Sequence, residues 1–386
     1  MNTLIKQWRW ALPLVALLAG CNGSKDDKPQ THAVATYAVA SWDALPAVSD
    51  SDLLAGFASW RGACDRLKSD ANWAPTCSAA ANVAQTSPAI RGFLQEHLDV
   101  YGLRSANGTP NGLITGYYEP VYPGSLAQTG DNTIPVYGVP EDLIVVSLDS
   151  VYPELKGKRL RGRLEGRTLK PYDVAGVINS QGVKAPVLAW LTDPMDLQFL
   201  QIQGSGRIQL DDGRQLRIGY ADQNGHPYRP IGRWLVEQGE LKKEDVTMGS
   251  IDAWAKANPT RIPELLASNP SYVFFSTRPD SNEGPRGSLN VPLTAGYSVA
   301  VDRKVVPLGS LLWLSTTRPD GSALARPVAA QDTGGAITGE VRADLFWGTG
   351  DEAGKLAGDM KQQGQIWMLW PKNVALPQVP QVANAP

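Results

Sequence analysis

The chain has 386 residues, 36 Lys+Arg against 38 Asp+Glu, three His and three Cys. A formal net charge of −2 argues against a protein that binds nucleic acid by neutralising phosphates, and so few His and Cys leave little from which to build a metal site rich in them. A hydrophobic content of 42% is enough for a core, while 38 Gly and 29 Pro favour loops and β-structure over a helical bundle.

Residues 1–20 carry Lys6 and Arg9, then the apolar run Ala11-Leu12-Pro13-Leu14-Val15-Ala16-Leu17-Leu18. That run is too short to span a bilayer, which takes about 20 residues, and suits the core of a secretory signal. It ends Leu18-Ala19-Gly20-Cys21, which resembles the bacterial lipobox and implies that Cys21 is the lipid anchor of the mature protein. Asn22 at the next position, by resemblance to Gram-negative lipoprotein sorting, points to the outer membrane and a periplasm-facing enzyme. The polar stretch that follows makes residues 21–36 a flexible tether. Export also predicts a disulfide between Cys64 and Cys77 in an oxidising compartment, worth about 3 kcal/mol. Two separate buried thiols are the alternative.

The next elements are helical. Ser49-Asp50-Ser51 offers N-caps for a helix with Leu53, Leu54, Phe57 and Trp60 at helical spacing. Ser87-Pro88 starts another, with Ile90, Phe93, Leu94 and Leu98 on one face. From Gly112 the texture becomes β: strands are expected at 113–118, 143–148, 187–191, 197–202 and 206–210, with Asp211-Asp212-Gly213 as a hairpin turn. Short helices fit 230–239, 250–258 and 260–268. Strands return at 272–275, 298–301, 311–314, 327–331 and 366–370. The Pro-containing stretch 373–386 reads as a disordered tail.

Chemistry concentrates near the C-terminus. Gln331-Asp332-Thr333-Gly334-Gly335-Ala336-Ile337 places a carboxylate at a strand end before two glycines, and Arg342-Ala343-Asp344-Leu345-Phe346-Trp347-Gly348 supplies a second. Asp302 ends another strand. Carboxylates that converge in a partly buried site raise one another's pKa, which is what a general acid needs. The competing reading is that each Asp caps its own turn. Asp332-Thr333-Gly334 also matches the aspartic protease triplet. Those enzymes pair two such triplets, and no second one occurs here. A Ca²⁺ loop fits the spacing poorly, and no zinc or dinucleotide signature is present.

Three stretches in order resemble the membrane-bound lytic murein transglycosylase A family: Leu113-Ile114-Thr115-Gly116-Tyr117-Tyr118-Glu119-Pro120, Gln201-Ile202-Gln203-Gly204-Ser205-Gly206, and the Asp332 and Asp344 segments just quoted. The resemblance covers roughly residues 112–372. It implies a mainly-β fold with α: a double-psi β-barrel domain from 37–112 and 271–372 with N-terminal helices, an inserted smaller β-rich domain at 113–270, and a groove between them. It implies cleavage of the β-1,4 bond between N-acetylmuramic acid and N-acetylglucosamine with a 1,6-anhydromuramic end, no cofactor and no metal. By motif match Asp344 is the acid and base, and Asp332 and Asp302 support it. Thr115, Tyr117, Glu119, Gln203 and Ser205 are candidate sugar-binding groups, each with a structural role as the alternative. Phe346 and Trp347 either stack on sugar rings or belong to the core. The implied partners are peptidoglycan glycan strands, the outer membrane and wall-synthesis proteins, with no nucleic acid, for a monomer. A non-catalytic peptidoglycan-binding outer-membrane lipoprotein and a muramidase that hydrolyses the bond are the competing functions.

Overall fold

The computed structural model describes residues 36–379 except 156, 157 and 159. The expected signal, Cys21, all of the tether but Thr36, and residues 380–386 of the tail lie outside the described residues. Among the described residues no helix is long and apolar enough to cross a membrane.

Strand β1 (Tyr37–Ala40) precedes helices α1 (Asp50–Arg61), α2 (Cys64–Leu67), α3 (Ala74–Ala80) and α4 (Ser87–His97). Ser49 caps α1 by accepting from the Asp52 amide at 3.0 Å. Leu53, Phe57 and Trp60 are fully buried on one stripe, as the spacing predicts. Cys64 and Cys77 are bonded, with Cα atoms 5.3 Å apart, and tie α2 to α3.

The chain continues through β2 (Leu98–Leu103), β3 (Gly112–Glu119), β4 (Val121–Ser125), β5 (Ile134–Tyr137), β6 (Ile144–Val146), β7 (Leu160–Glu165) and β8 (Thr168–Pro171). Then come α5 (Ala175–Gln181), β9 (Val187–Leu191), α6 (Pro194–Gln203), β10 (Ser205–Leu210), β11 (Gln215–Gln223), α7 (Ile231–Glu237), α8 (Met248–Ala257) and α9 (Ile262–Ala267). It ends with β12 (Val273–Arg278), β13 (Ser298–Val301), β14 (Leu311–Thr317), β15 (Ala323–Asp332), β16 (Arg342–Thr349), α10 (Asp351–Asp359) and β17 (Lys361–Pro371).

These strands form an eight-stranded sheet in the order β1-β2-β17-β14-β15-β13-β16-β3, a six-stranded sheet β12-β11-β10-β4-β9-β5, and a three-stranded sheet β6-β7-β8. In the largest, β3 also pairs with the start of β17, so the ladder from β17 through β14, β15, β13, β16 and β3 returns to β17. Its core joins α1 and α4 to these strands through Phe57, Trp60, Phe93, Leu312 and Trp370. The six-stranded sheet has its own core around Leu200, Ile208, Ile218 and Phe275. This is the mainly-β fold with α that the sequence suggests.

Three expectations change. Residues 197–202, read as a strand, lie in α6. Asp193 caps that helix through the Met195 amide at 2.7 Å, Pro194 opens it, and Gly204 closes it at φ +76°. A short apolar run buried on several sides carries no period that separates helix from strand. The domain edges also shift. The 112–119 strand pairs with β16 and β17 in the large sheet, whereas 273–278 pairs with β11 in the six-stranded one. The strand ladder thus places 113–119 in the large sheet and 273–278 in the six-stranded one, across the division expected at 112 and 270. Finally, residues 373–379 of the tail dock on the core. Trp370 Nε1 donates to the Ala375 carbonyl at 3.2 Å, and Val374, Leu376 and Val379 pack on the core.

One residue holds the two large sheets at their crossing. β3 runs through Pro120 directly into β4, so the chain changes sheet at Glu119. The Glu119 carboxylate is 1% exposed and accepts from Arg207 Nε and Thr349 Oγ1 at 2.8 Å each. Thr349 belongs to the large sheet and Arg207 to the small one. Removing one member of such a pair strands the other charge at a cost of about 3–5 kcal/mol. Glu119→Ala is therefore expected to lower unfolding stability by that order in urea titrations. An unchanged midpoint with raised KM would instead make Glu119 a sugar ligand.

Candidate active site

The strand order brings Asp332 and Asp344 together. β13 lies between β15 and β16, and its residue Ala300 is the register partner of both aspartates. On the other side of β16, β3 runs parallel and sets Thr115 against Asp344. Four segments distant in sequence therefore meet at one point of the large sheet.

Asp344 is partly buried. Its Oδ1 accepts from Thr115 Oγ1 at 2.5 Å, and Thr115 Oγ1 accepts from Arg342 Nη2 at 2.9 Å. Burial is the largest influence on this carboxyl and raises its pKa. The Thr115 bond and the Arg342 charge pull it down, and the Asp332 charge pushes it up again. The net shift is upward, so the protonated acid is favoured.

Asp332 is held differently. Oδ1 accepts from Ser288 N and Ser288 Oγ at 2.9 Å each and from Thr333 N at 2.8 Å, while Oδ2 accepts from Tyr117 Oη at 3.0 Å. Burial is the largest influence and raises its pKa overall, and these donors pull it only part of the way back. Gly287 makes the arrangement possible: a Cβ there would come within 2.5 Å of the Gln331 carbonyl and 3.1 Å of Asp332 Cβ, so no larger residue lets Ser288 approach. The Tyr117 phenol is pushed well above its ordinary range, by burial first and then by the two aspartates, which keeps it a donor.

A groove opens on both sides of this pair. One arm, a cavity of about 470 Å³, is lined by Gln201, Gln203, Ser205, Tyr220, Arg278 and the Gly334-Gly335 turn. The other, about 400 Å³, is lined by Thr115, Tyr117, Tyr228, Arg233 and Met248. Ile202, Gln203, Asp332 and Asp344 line both, so the arms meet at the aspartates. Gln203 spans the two sheets, accepting through Oε1 from the Tyr118 amide at 3.2 Å. Gly204, at φ +76°, lets α6 stop there and β10 start at Ser205.

The structure thus gathers Asp344, Asp332, Thr115, Tyr117, Gln203 and Ser205. Other expected residues serve elsewhere. Asp302 touches neither aspartate. Its Oδ1 accepts from Lys304 N and its Oδ2 from Gly339 N, both at 3.0 Å, which braces the loop before β16. Glu119 lies on the wall of the larger cavity, but its carboxylate is engaged by Arg207 and Thr349. Phe346 is 1% exposed and packs its ring 5.3 Å from that of Tyr117. Trp347 Nε1 reaches Met360 Sδ at 3.2 Å, and its indole covers Gly116. Both aromatics pack beside the site, and neither lines the groove. Sequence reasoning missed Ser288, for which no local signal exists, and the part played by Arg342. For Arg342 a signal was present: two positions before Asp344 on a strand, it shares that residue's face.

Comparison with known proteins agrees with this geometry. Residues 113–276 match the family described as the MltA specific insert domain, and residues 297–370 match the 3D domain. The membrane-bound lytic murein transglycosylase A of Escherichia coli K12 is 31% identical over 370 residues, spanning 92% of this chain and 93% of that protein. Among solved structures, MltA from Neisseria gonorrhoeae is 36% identical with a TM-score of 0.74, covering 89% of this chain and 92% of its own. E. coli MltA with bound chitohexaose is 27% identical with a TM-score of 0.68, covering 87% and 95%. On sequence and fold together, this chain belongs to the membrane-bound lytic murein transglycosylase A family.

Proposed function

We propose that the protein is a peptidoglycan lytic transglycosylase that cleaves the β-1,4 bond between N-acetylmuramic acid and N-acetylglucosamine and leaves a 1,6-anhydromuramic end. It acts in cell-wall turnover from the periplasmic face of the outer membrane, anchored through a lipid on Cys21. The observation that carries the chemistry is the inequality of the two aspartates. Burial raises the pKa of both, but Asp332 accepts four hydrogen bonds that favour its charged form, whereas Asp344 accepts one from a side chain. Glycosidases that hydrolyse need two working carboxyls, as acid plus nucleophile or acid plus base. One working carboxyl suits a reaction in which the substrate supplies its own nucleophile.

The steps balance without water. Asp344 gives its proton to the glycosidic oxygen as the C1–O bond breaks, and the N-acetylglucosamine hydroxyl leaves. The C6 hydroxyl of the same muramic acid attacks C1, and its proton passes to Asp344, which restores the resting acid. Because that hydroxyl is already tethered, the attack is intramolecular, where effective molarities reach about 10⁵–10⁸ M. Asp332, whose four donors favour its charged form against the upward push of burial, is placed to support the positive charge of the oxocarbenium-like transition state.

The product decides between this reading and hydrolysis. Mass spectrometry of fragments from sacculi is expected to show muramic ends one water lighter than those of a muramidase; hydrated ends would reject the proposal. Asp344→Asn is expected to abolish release while raising stability at neutral pH. The sign follows from linkage: a raised carboxyl pKa gives stability that is present below about pH 3.9 and is lost as pH climbs through the folded-state value. The gap between variant and wild type should therefore shrink on acidification. Activity of the wild type should fall as pH rises through the Asp344 transition. Thr115→Val, which removes a bond that lowers this pKa, should move that limb to higher pH, and Asp332→Asn should move it lower. A limb that ignores both substitutions would remove Asp344 as the acid.

A further inference from the structure

The larger arm of the groove carries more positive charge than an uncharged sugar chain requires. Its cations are Arg217, Arg278 and Arg286. Arg217 is spent internally: it is buried, it donates through Nη2 to the Glu283 and Gly284 carbonyls at 3.0 Å each, and it lies 4.0 Å from Glu119. Arg278 and Arg286 differ. Both are exposed, and among the described residues neither forms an ion pair. Arg278 Nη2 donates to the Tyr220 carbonyl and Arg286 Nη1 to the Asn290 carbonyl, each at 2.9 Å. A guanidinium has five N–H donors, so each keeps most of its capacity for a ligand.

Their placement is specific. Ser205, Gly219 and Ser276 are register partners across β10, β11 and β12 and share one face of the sheet. Arg278 stands on that face two residues after Ser276 and lies across Gly219, where a Cβ would come within 2.9 Å of its Nε. The cation is thus laid beside the candidate sugar-binding Ser205. Among the described residues, the acids lining the same cavity form no ion pair with either arginine: Glu119 is held by Arg207, Asp332 by its four donors and Asp344 by Thr115, and Glu283 is paired with neither. Among the described residues, the opposite arm offers no such pair. There Arg233 is tied to Glu237 at 2.7 Å, and Lys361 shares its wall with Asp359.

We infer that Arg278 and Arg286 bind carboxylates of the peptide attached to muramic acid and make this arm select peptide-bearing strands over uncharged ones. The inference rests on the proposed function above. The sugars of such a strand are neutral, and its carboxylates sit on the peptide, so two free guanidiniums in the groove match that part alone. Planar, forked donors suit carboxylates through paired hydrogen bonds. Exposed pairs of this kind are individually modest, so the effect is one of selection and leaves the chemical step alone.

The test compares the wild type with the Arg278→Gln/Arg286→Gln double variant on two substrates: peptide-bearing glycan strands, and the same strands stripped of peptide by an amidase and then amidated at the freed lactyl carboxyls, so that they carry no charge. For the variant, KM on peptide-bearing strands should rise about fivefold relative to the change on stripped strands, with kcat within about twofold. The steep salt dependence of that KM in the wild type should flatten in the variant, which lost packing would not produce. Parallel losses on both substrates, or no change on either, would overturn this inference while leaving the proposed function intact. Absence of anhydromuramic ends from both substrates with the wild type would overturn both.

Discussion

The site depends on the register of two parallel strands, β3 and β16, whose partners are far apart in sequence. Thr115 stands against Asp344, and the Thr115 hydroxyl links that carboxyl to Arg342. Side chains alternate along a strand, so a slip of one residue would turn Thr115 away and set Gly116 or Ile114 in its place. Gly116 lies under the Trp347 indole and Ile114 is fully buried, so both neighbours are committed to packing and the register has one workable setting. The core that surrounds these strands, from Trp60 to Trp370, is what prevents that slip.

From that register follows an asymmetric pair of acids. Both aspartates flank Ala300, yet one meets four hydrogen-bond donors and the other a single threonine. The same burial therefore raises both carboxyls against different support, four donors opposing it at Asp332 and one at Asp344. Sequence similarity and fold place the chain in its family, and this local inequality gives the chemical reason for the activity proposed. The second sheet contributes a wall, held at the Glu119 crossing and joined to the first by Gln203.

Much of this was legible in the sequence because glycines and short polar motifs mark places where backbone geometry is demanding. The stretches around Thr115, Gln203, Asp332 and Asp344 are of that kind, and all four residues reach the groove. What a residue type cannot disclose is which way its strand faces. Phe346 and Trp347 sit in the same motif as Asp344 but turn into packing, and Glu119 ends its strand in an ion pair. Asp302 satisfies the turn-capping alternative. Ser288 was invisible because its link to Asp332 is made only by the fold. The 197–202 segment was misread because a short buried apolar run has no period to reveal, and the tail because a few apolar side chains among prolines suffice to dock it.

The central claim is that Asp344 carries a proton in the resting enzyme. The direct measurement is a pH titration of the aspartate carboxyl carbons by NMR, comparing carboxyl-labelled wild type with Asp344→Asn. The account predicts a resonance that titrates above the ordinary aspartate range in the wild type and is missing from the variant. Asp196, raised to about 7, and Asp332, also raised, keep their elevated resonances in both proteins; if no further elevated resonance is lost on the substitution, Asp344 does not hold the proton on which the mechanism depends.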